Sequence, residues 1–173
     1  MDFIDRIHPT VALTASAFSY PLLMRLVTPT HPSAARFIKT REALSVTHAS
    51  MMVSVTLFEL YRHADDWIPP AWRGLPTPAR PKIIDASTRF TNALLAFECG
   101  YLLQDFVVLI QGAQKLSVER SAASLLARNV NWRVLGLHHL GLAVGLGLFH
   151  IRALRGTAKA SLLVLMMMLM NAS

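Results

Sequence analysis

The strongest constraint on this chain is where its charges are missing. Ile7 to Met24 contains no Asp, Glu, Lys or Arg. Neither does Ala43 to Phe58, a run that continues past Glu59 to Tyr61. Val134 to Ile151 and Ala160 to Ser173 are also free of charge. Between the second and third runs, Ala93 to Ala113 is apolar apart from Glu98 and Asp105. A spanning helix needs about 20 predominantly apolar residues, within a range of about 17–25. The first three runs meet that length, the interrupted run meets it if its two acids are tolerated, and the last falls slightly short. The pattern predicts an all-α polytopic transmembrane helix bundle with about five hydrophobic helices.

Composition agrees. The chain has 173 residues, of which 53% are hydrophobic and 16% charged, against about 25% charged in ordinary soluble domains. Its mean hydropathy of +0.41 excludes disorder, which needs low hydrophobicity and high charge. A single cysteine, Cys99, excludes an internal disulfide framework and any multi-cysteine metal site. The net charge of +7 would by itself suggest nucleic acid. The basic residues, however, sit in the connections between apolar runs, which is a membrane pattern. No nucleic-acid partner is expected. A soluble bundle of long buried helices is the alternative, and it would leave the loops to supply nearly all the polar surface.

The expected organisation is an N-terminal transmembrane helix with its connection (1–34) followed by a core (35–173). Asp2 and Asp5 make the start acidic where a signal peptide is basic, so a cleaved leader is not expected. Tyr20-Pro21 marks a kink site in the first helix. Residues 62–92 hold Pro69, Pro70, Pro76, Pro78 and Pro81, too many prolines for a regular helix through the middle. Trp67 and Trp72 in the same stretch suit the membrane–water interface. Residues 117–129 read either as a short interfacial helix or as a solvated loop. Alternating sidedness places nine Lys and Arg on one side and eight on the other, so positive charge does not orient the chain.

Ionisable residues inside spanning helices are costly, about 2.5–3.5 kcal/mol for Asp at the centre, and they usually face the bundle interior. Ser45, His48, Met52, Thr56 and Glu59 follow steps of 3, 4, 4 and 3 and so share one helical stripe. Glu98, Tyr101 and Asp105 form another stripe. His138 and His139 lie one turn into the fourth helix, and His150 stands at nearly the azimuth of His139. Gly141 and Gly145 form a small-residue face that another helix, including one from a second copy, can approach closely.

The functional reading joins these stripes in one polar cavity. Asp105 would orient His138 or His139 as base or nucleophile. Ser45, His48, Glu98 and Tyr101 would line the substrate site. The structural reading makes the same residues interhelical hydrogen bonds, worth typically about 0.6 kcal/mol each. It is the stronger one for Glu59, Glu98 and His150, near helix ends, where such groups reach interfacial water. Metal binding is the weaker option: adjacent His138 and His139 point about 100° apart on a helix, leaving only a set of His48, Asp105 and one of the pair. No metal is expected.

Three motifs then point to a family. Ser45-Val46-Thr47-His48-Ala49 resembles the Ser-x-x-His-Ala signature that opens the core of TLC-domain membrane proteins. Gly100-Tyr101-Leu102-Leu103-Gln104-Asp105 is similar to that family's Gly-Tyr-x-x-x-Asp helix, and Leu137-His138-His139-Leu140 to its double-histidine helix. The resemblance covers roughly residues 35–173. It implies a lipid-linked protein of the endoplasmic reticulum with membrane lipids as partners. The family includes ceramide synthases, which N-acylate long-chain bases with acyl-CoA as co-substrate, and also regulators of lipid composition. Carried over, it points to His138 and His139 for acyl transfer, and to Asp105 beside them. The synthases also have a downstream acidic cluster of the His-Asp-x-x-Asp type. The comparable stretch here, Leu162 to Met168, has no acid, which counts against ceramide synthesis and for a lipid-binding or regulatory member. Met170-Asn171-Ala172-Ser173 resembles the start of a further family segment, so a C-terminally shortened core is expected. Acyl transfer to a lipid and non-catalytic lipid binding both stay open, with a small transporter or proton-handling protein as a third reading. The absence of an internal repeat weakens the third.

Overall fold

The computed structural model describes residues 6–28, 33–74, 76, 82–118 and 132–170. Every regular element among them is helical. Helix α1 spans Pro9–Val27, α2 Ala34–Arg62, the short α3 Ala64–Trp67, α4 Arg89–Val118, α5 Trp132–Leu154 and α6 Ser161–Met170. Single 3-10 turns lie at Pro70–Arg73 and Lys82–Ile84. Four helices are long and apolar enough to cross a membrane: α1, α2, α4 and α5. The fifth apolar run, short of a spanning length in the sequence, is also helical. It forms a helix of ten described residues, about 15 Å long at about 1.5 Å per residue, and this short helix packs on α2 and α4. The interfacial helix considered for 117–129 falls mostly outside the described residues.

Local chemistry sets the helix ends. Pro9 occupies the first turn of α1, where its missing N–H costs nothing, and His8 Nδ1 accepts from the Thr10 N–H at 3.3 Å. Ser33 caps α2 by accepting from the Arg36 N–H. Trp67 Nε1 donates to the Leu60 carbonyl at 2.7 Å, satisfying one of the carbonyls left open at the end of α2. Gly156, at φ +67°, ends α5. There the Thr157 N–H donates to the Arg152 carbonyl at 3.0 Å, the bond of a Schellman cap. The chain then turns back, and Lys159 pairs with Asp85 at 3.3 Å while Ser161 Oγ donates to the Ala86 carbonyl. These contacts put the 155–160 connection beside residues 82–88, as alternating sidedness requires.

Helix α4 is the central element: 61% of its span is buried, against 17–22% for the other three spans. Helix α1 lies along it through Ala12, Ser16, Tyr20 and Met24, a buried stripe at steps of four. The closest approach is at Gly100. A Cβ there would stand 2.5 Å from the Leu13 carbonyl oxygen and 3.1 Å from the Ala17 nitrogen. Both are backbone atoms and cannot rotate away. The face at Gly141 and Gly145 has no atom within 4 Å of an added Cβ. Within one chain, then, the small-residue contact is made by Gly100. Gly100→Ala is expected to destabilise the protein by about 1–3 kcal/mol through overpacking, outweighing the helix propensity gained. Gly141→Ala and Gly145→Ala should leave stability within about 0.5 kcal/mol of wild type or raise it. Thermal unfolding of the three variants in one detergent checks this.

Candidate functional site

Polar side chains meet between α2 and α4 at three levels. On α4, Thr91, Glu98 and Asp105 are spaced by seven residues, about 10 Å per step along the axis. On α2, Arg41, His48 and Glu59 face them.

At the first level Asp105 is fully buried. Arg41 grips it with both arms of its guanidinium, Nε donating to Oδ1 at 2.8 Å and Nη2 donating to Oδ2. Tyr20 on α1 donates its hydroxyl to Oδ1 at 3.0 Å. His139 Nδ1 on α5 stands 2.8 Å from Oδ2, without the alignment of a full hydrogen bond. One carboxylate therefore joins four helices. Its charge is already matched by a bidentate guanidinium, the strongest pairing available to a carboxylate.

At the second level His48 Nε2 lies 2.7 Å from Glu98 Oε2. The imidazole stacks on the Tyr101 ring, with centroids 3.6 Å apart and planes 13° from parallel. It also lies parallel to Phe97, 5.8 Å away. Tyr101 donates its hydroxyl to Ser45 Oγ at 2.8 Å, and its ring meets Tyr20 edge-on at 5.1 Å. His48 is fourteen residues from either end of α2, so this pair sits at the middle of that helix.

A cavity of about 190 Å³ opens at this level. Ser45, His48, Glu98, Tyr101, His138 and His139 all line it. Met52, Leu102, Leu142 and Met168 supply its apolar wall. Of the seven residues assigned to the catalytic and substrate site from the sequence, Asp105 is the one outside the lining, 2.8 Å behind His139 Nδ1. The adjacent histidines separate as helical geometry requires. His139 turns inward to Asp105, whereas His138 is exposed at the rim with its ring 5.9 Å from that of His139. The conceivable metal set is split, since His48 pairs with Glu98 and Asp105 with Arg41. Among the described residues, no three His, Cys, Asp or Glu side chains gather as a metal site.

The third level corrects an expectation. Glu59 does not reach interfacial water: it is fully buried. Thr88 and Thr91 each donate a hydroxyl to its Oε1 at 2.9 Å, and Arg62 donates to Oε2 at 3.0 Å. Glu98 likewise serves the cavity and His48 instead of the interface. His150 takes no part in the cavity lining.

Arg41 and Tyr20 are the two members that sequence reasoning missed. Arg41 lies seven residues before His48, on the same stripe, and that spacing was the available signal. Tyr20 continues the Ala12-Ser16 stripe of α1. No protein-family model, curated protein or solved structure matches the chain.

Proposed function

We propose that this chain is a multi-pass membrane protein of TLC type that acts in membrane lipid metabolism or homeostasis. In this reading the cavity receives the polar end of a membrane lipid, and one of its imidazoles serves acyl transfer to that lipid from acyl-CoA. The endoplasmic reticulum is the membrane that the family resemblance implies. One observation carries the reading. Seven polar side chains, three of them imidazoles, converge on a single partly apolar cavity within the span of the helices. Imidazole held by a carboxylate is the general arrangement of acid–base and nucleophilic catalysis, and ionisable groups in membrane interiors mark functional sites by default. Among the described residues the lining holds no Lys or Arg, and Arg41 is occupied by Asp105. A hydroxyl or amine suits such a site better than a phosphate.

Non-catalytic lipid binding is the second reading, favoured by the lack of an acid between Leu162 and Met168. Lipid mass spectrometry separates the two. Cells lacking related activity would express the wild type or His138→Ala/His139→Ala at matched membrane levels. The expected result is a lipid class that rises with wild type and not with the variant, because the cavity loses two of its imidazoles. A wild type that raises no lipid class above cells without it, together with a lipid that co-purifies with it, would overturn the enzyme reading and leave lipid binding.

A further inference from the structure

Two imidazole–carboxylate pairs border the cavity, and they are not equivalent. Resting on the lipid-site reading above, we propose that the proton-exchanging group of this cavity is His48, oriented by Glu98, and that Asp105 with Arg41 is a helix tie. This reverses the weight that the sequence motifs place on Asp105 and the double histidine.

The argument starts from what each carboxylate already holds. Asp105 accepts a bidentate guanidinium and a tyrosine hydroxyl before His139 is counted. An imidazolium formed at His139 would face a carboxylate whose charge is cancelled by Arg41, so it would gain little. Glu98 has one partner among the described residues, His48. A proton taken up by His48 would give an imidazolium beside a carboxylate at 2.7 Å with no competing cation. In a water-poor setting that difference in charge is large.

Orientation points the same way. With Glu98 ionised, Nε2–H donates to Oε2, which leaves the lone pair on Nδ1. Nδ1 has no partner among the described residues. The ring is held in plane by Tyr101 and Phe97 and along its axis by Glu98. It is therefore preorganised with one free nitrogen, as a general base requires. At His139 the nitrogen facing the carboxylate is imperfectly aligned. In the proposed step a hydroxyl or amine at the cavity gives its proton to His48 Nδ1, and Glu98 keeps the Nε2 proton and balances the new positive charge.

The test uses the full chain in lipid nanodiscs and diethyl pyrocarbonate as an electrophile. In that reaction imidazole nitrogen bonds to the carbonyl carbon, ethyl carbonate leaves, and the proton on the other ring nitrogen is lost to a base. Mass spectrometry reads the rate at each histidine. His48 is expected to react, and Glu98→Gln to slow it about tenfold, since an amide is a far poorer base. His138, on the rim, should stay within about twofold and so report that the variant is folded. An unreactive His48, or one indifferent to Glu98→Gln, overturns the proposal. A cellular arm compares His48→Gln with the charge-free pair Arg41→Met/Asp105→Leu at matched membrane levels. Loss of the lipid product in the first and its retention in the second is expected, and the opposite result overturns the proposal while leaving the lipid function standing. If wild type itself makes no lipid product, the proposed function fails, and the nanodisc rates still decide which pair is reactive.

Discussion

Asp105→Ala is expected to lower the unfolding free energy by about 3–5 kcal/mol, the usual effect of removing one partner from a buried ion pair. Asp105 is fully buried and the Arg41 side chain is 10% exposed, so the guanidinium left behind cannot recover water without moving α2. The size of the effect identifies its cause. If Asp105 acted only as a hydrogen-bond acceptor, each lost bond would cost about 0.6 kcal/mol, as between membrane helices generally. Tyr20→Phe, which removes one such bond, provides that reference within the same site. The double variant Arg41→Met/Asp105→Leu removes both charges and fills similar volume. It should recover most of the loss, because the penalty lies in the orphaned charge more than in the missing attraction. Reversible unfolding of wild type, Arg41→Met, Asp105→Leu and the double variant in mixed micelles gives the coupling energy directly. Additive losses in the double variant would show that Arg41 and Asp105 are not an energetic pair.

This tie also explains how much of the molecule was legible in the sequence. Apolar run lengths located all four spans, because a bilayer leaves the backbone little choice but a helix of fixed length. Helical periodicity put His48 with Ser45 on one stripe and Glu98 with Tyr101 on another, and the structure brings those stripes together on one cavity. Arg41 is invisible to a reading that ends apolar runs at charges: the second run begins at Ala43, yet α2 begins at Ala34. A charge neutralised across an interface and a charge in a loop look alike in one dimension. The partner of His48 was lost for a different reason. A stripe fixes azimuth within a helix, but the vertical register between helices is set elsewhere: between α2 and α4 by the Arg41–Asp105 and Glu59–Thr91 contacts, and between α1 and α4 by the close approach at Gly100. The visible Gly141–Gly145 step carried no such contact within the chain, so spacing alone could not say which glycine was used.

Register is held at the opposite end of α2 by Glu59, and Glu59→Ala is expected to cost about 2–4 kcal/mol. That lies just below the range of about 3–5 kcal/mol for breaking a wholly buried pair, because Arg62 is 19% exposed and partly rescued by solvent. The carboxylate fixes the start of α4 as well as joining two helices. Thr88 caps α4 by accepting from the Thr91 N–H at 2.9 Å, and the hydroxyls of both threonines donate to Glu59 Oε1. Without that acceptor, Thr91, which is fully buried, has only Thr88 for its hydroxyl, and the cap loses the group that orients it. Glu59→Gln keeps an oxygen for the threonines and removes the charge that Arg62 and His63 face, so a loss of about 1–2 kcal/mol is expected. The distinguishing measurement is amide hydrogen exchange in the first turn of α4. Glu59→Ala should raise exchange there before the Asp105 end of the same helix responds, while Asp105→Ala should reverse that order. A uniform rise along α4 in both variants would mean that α2 and α4 separate as one unit, and that the polar levels between them are not independent clamps.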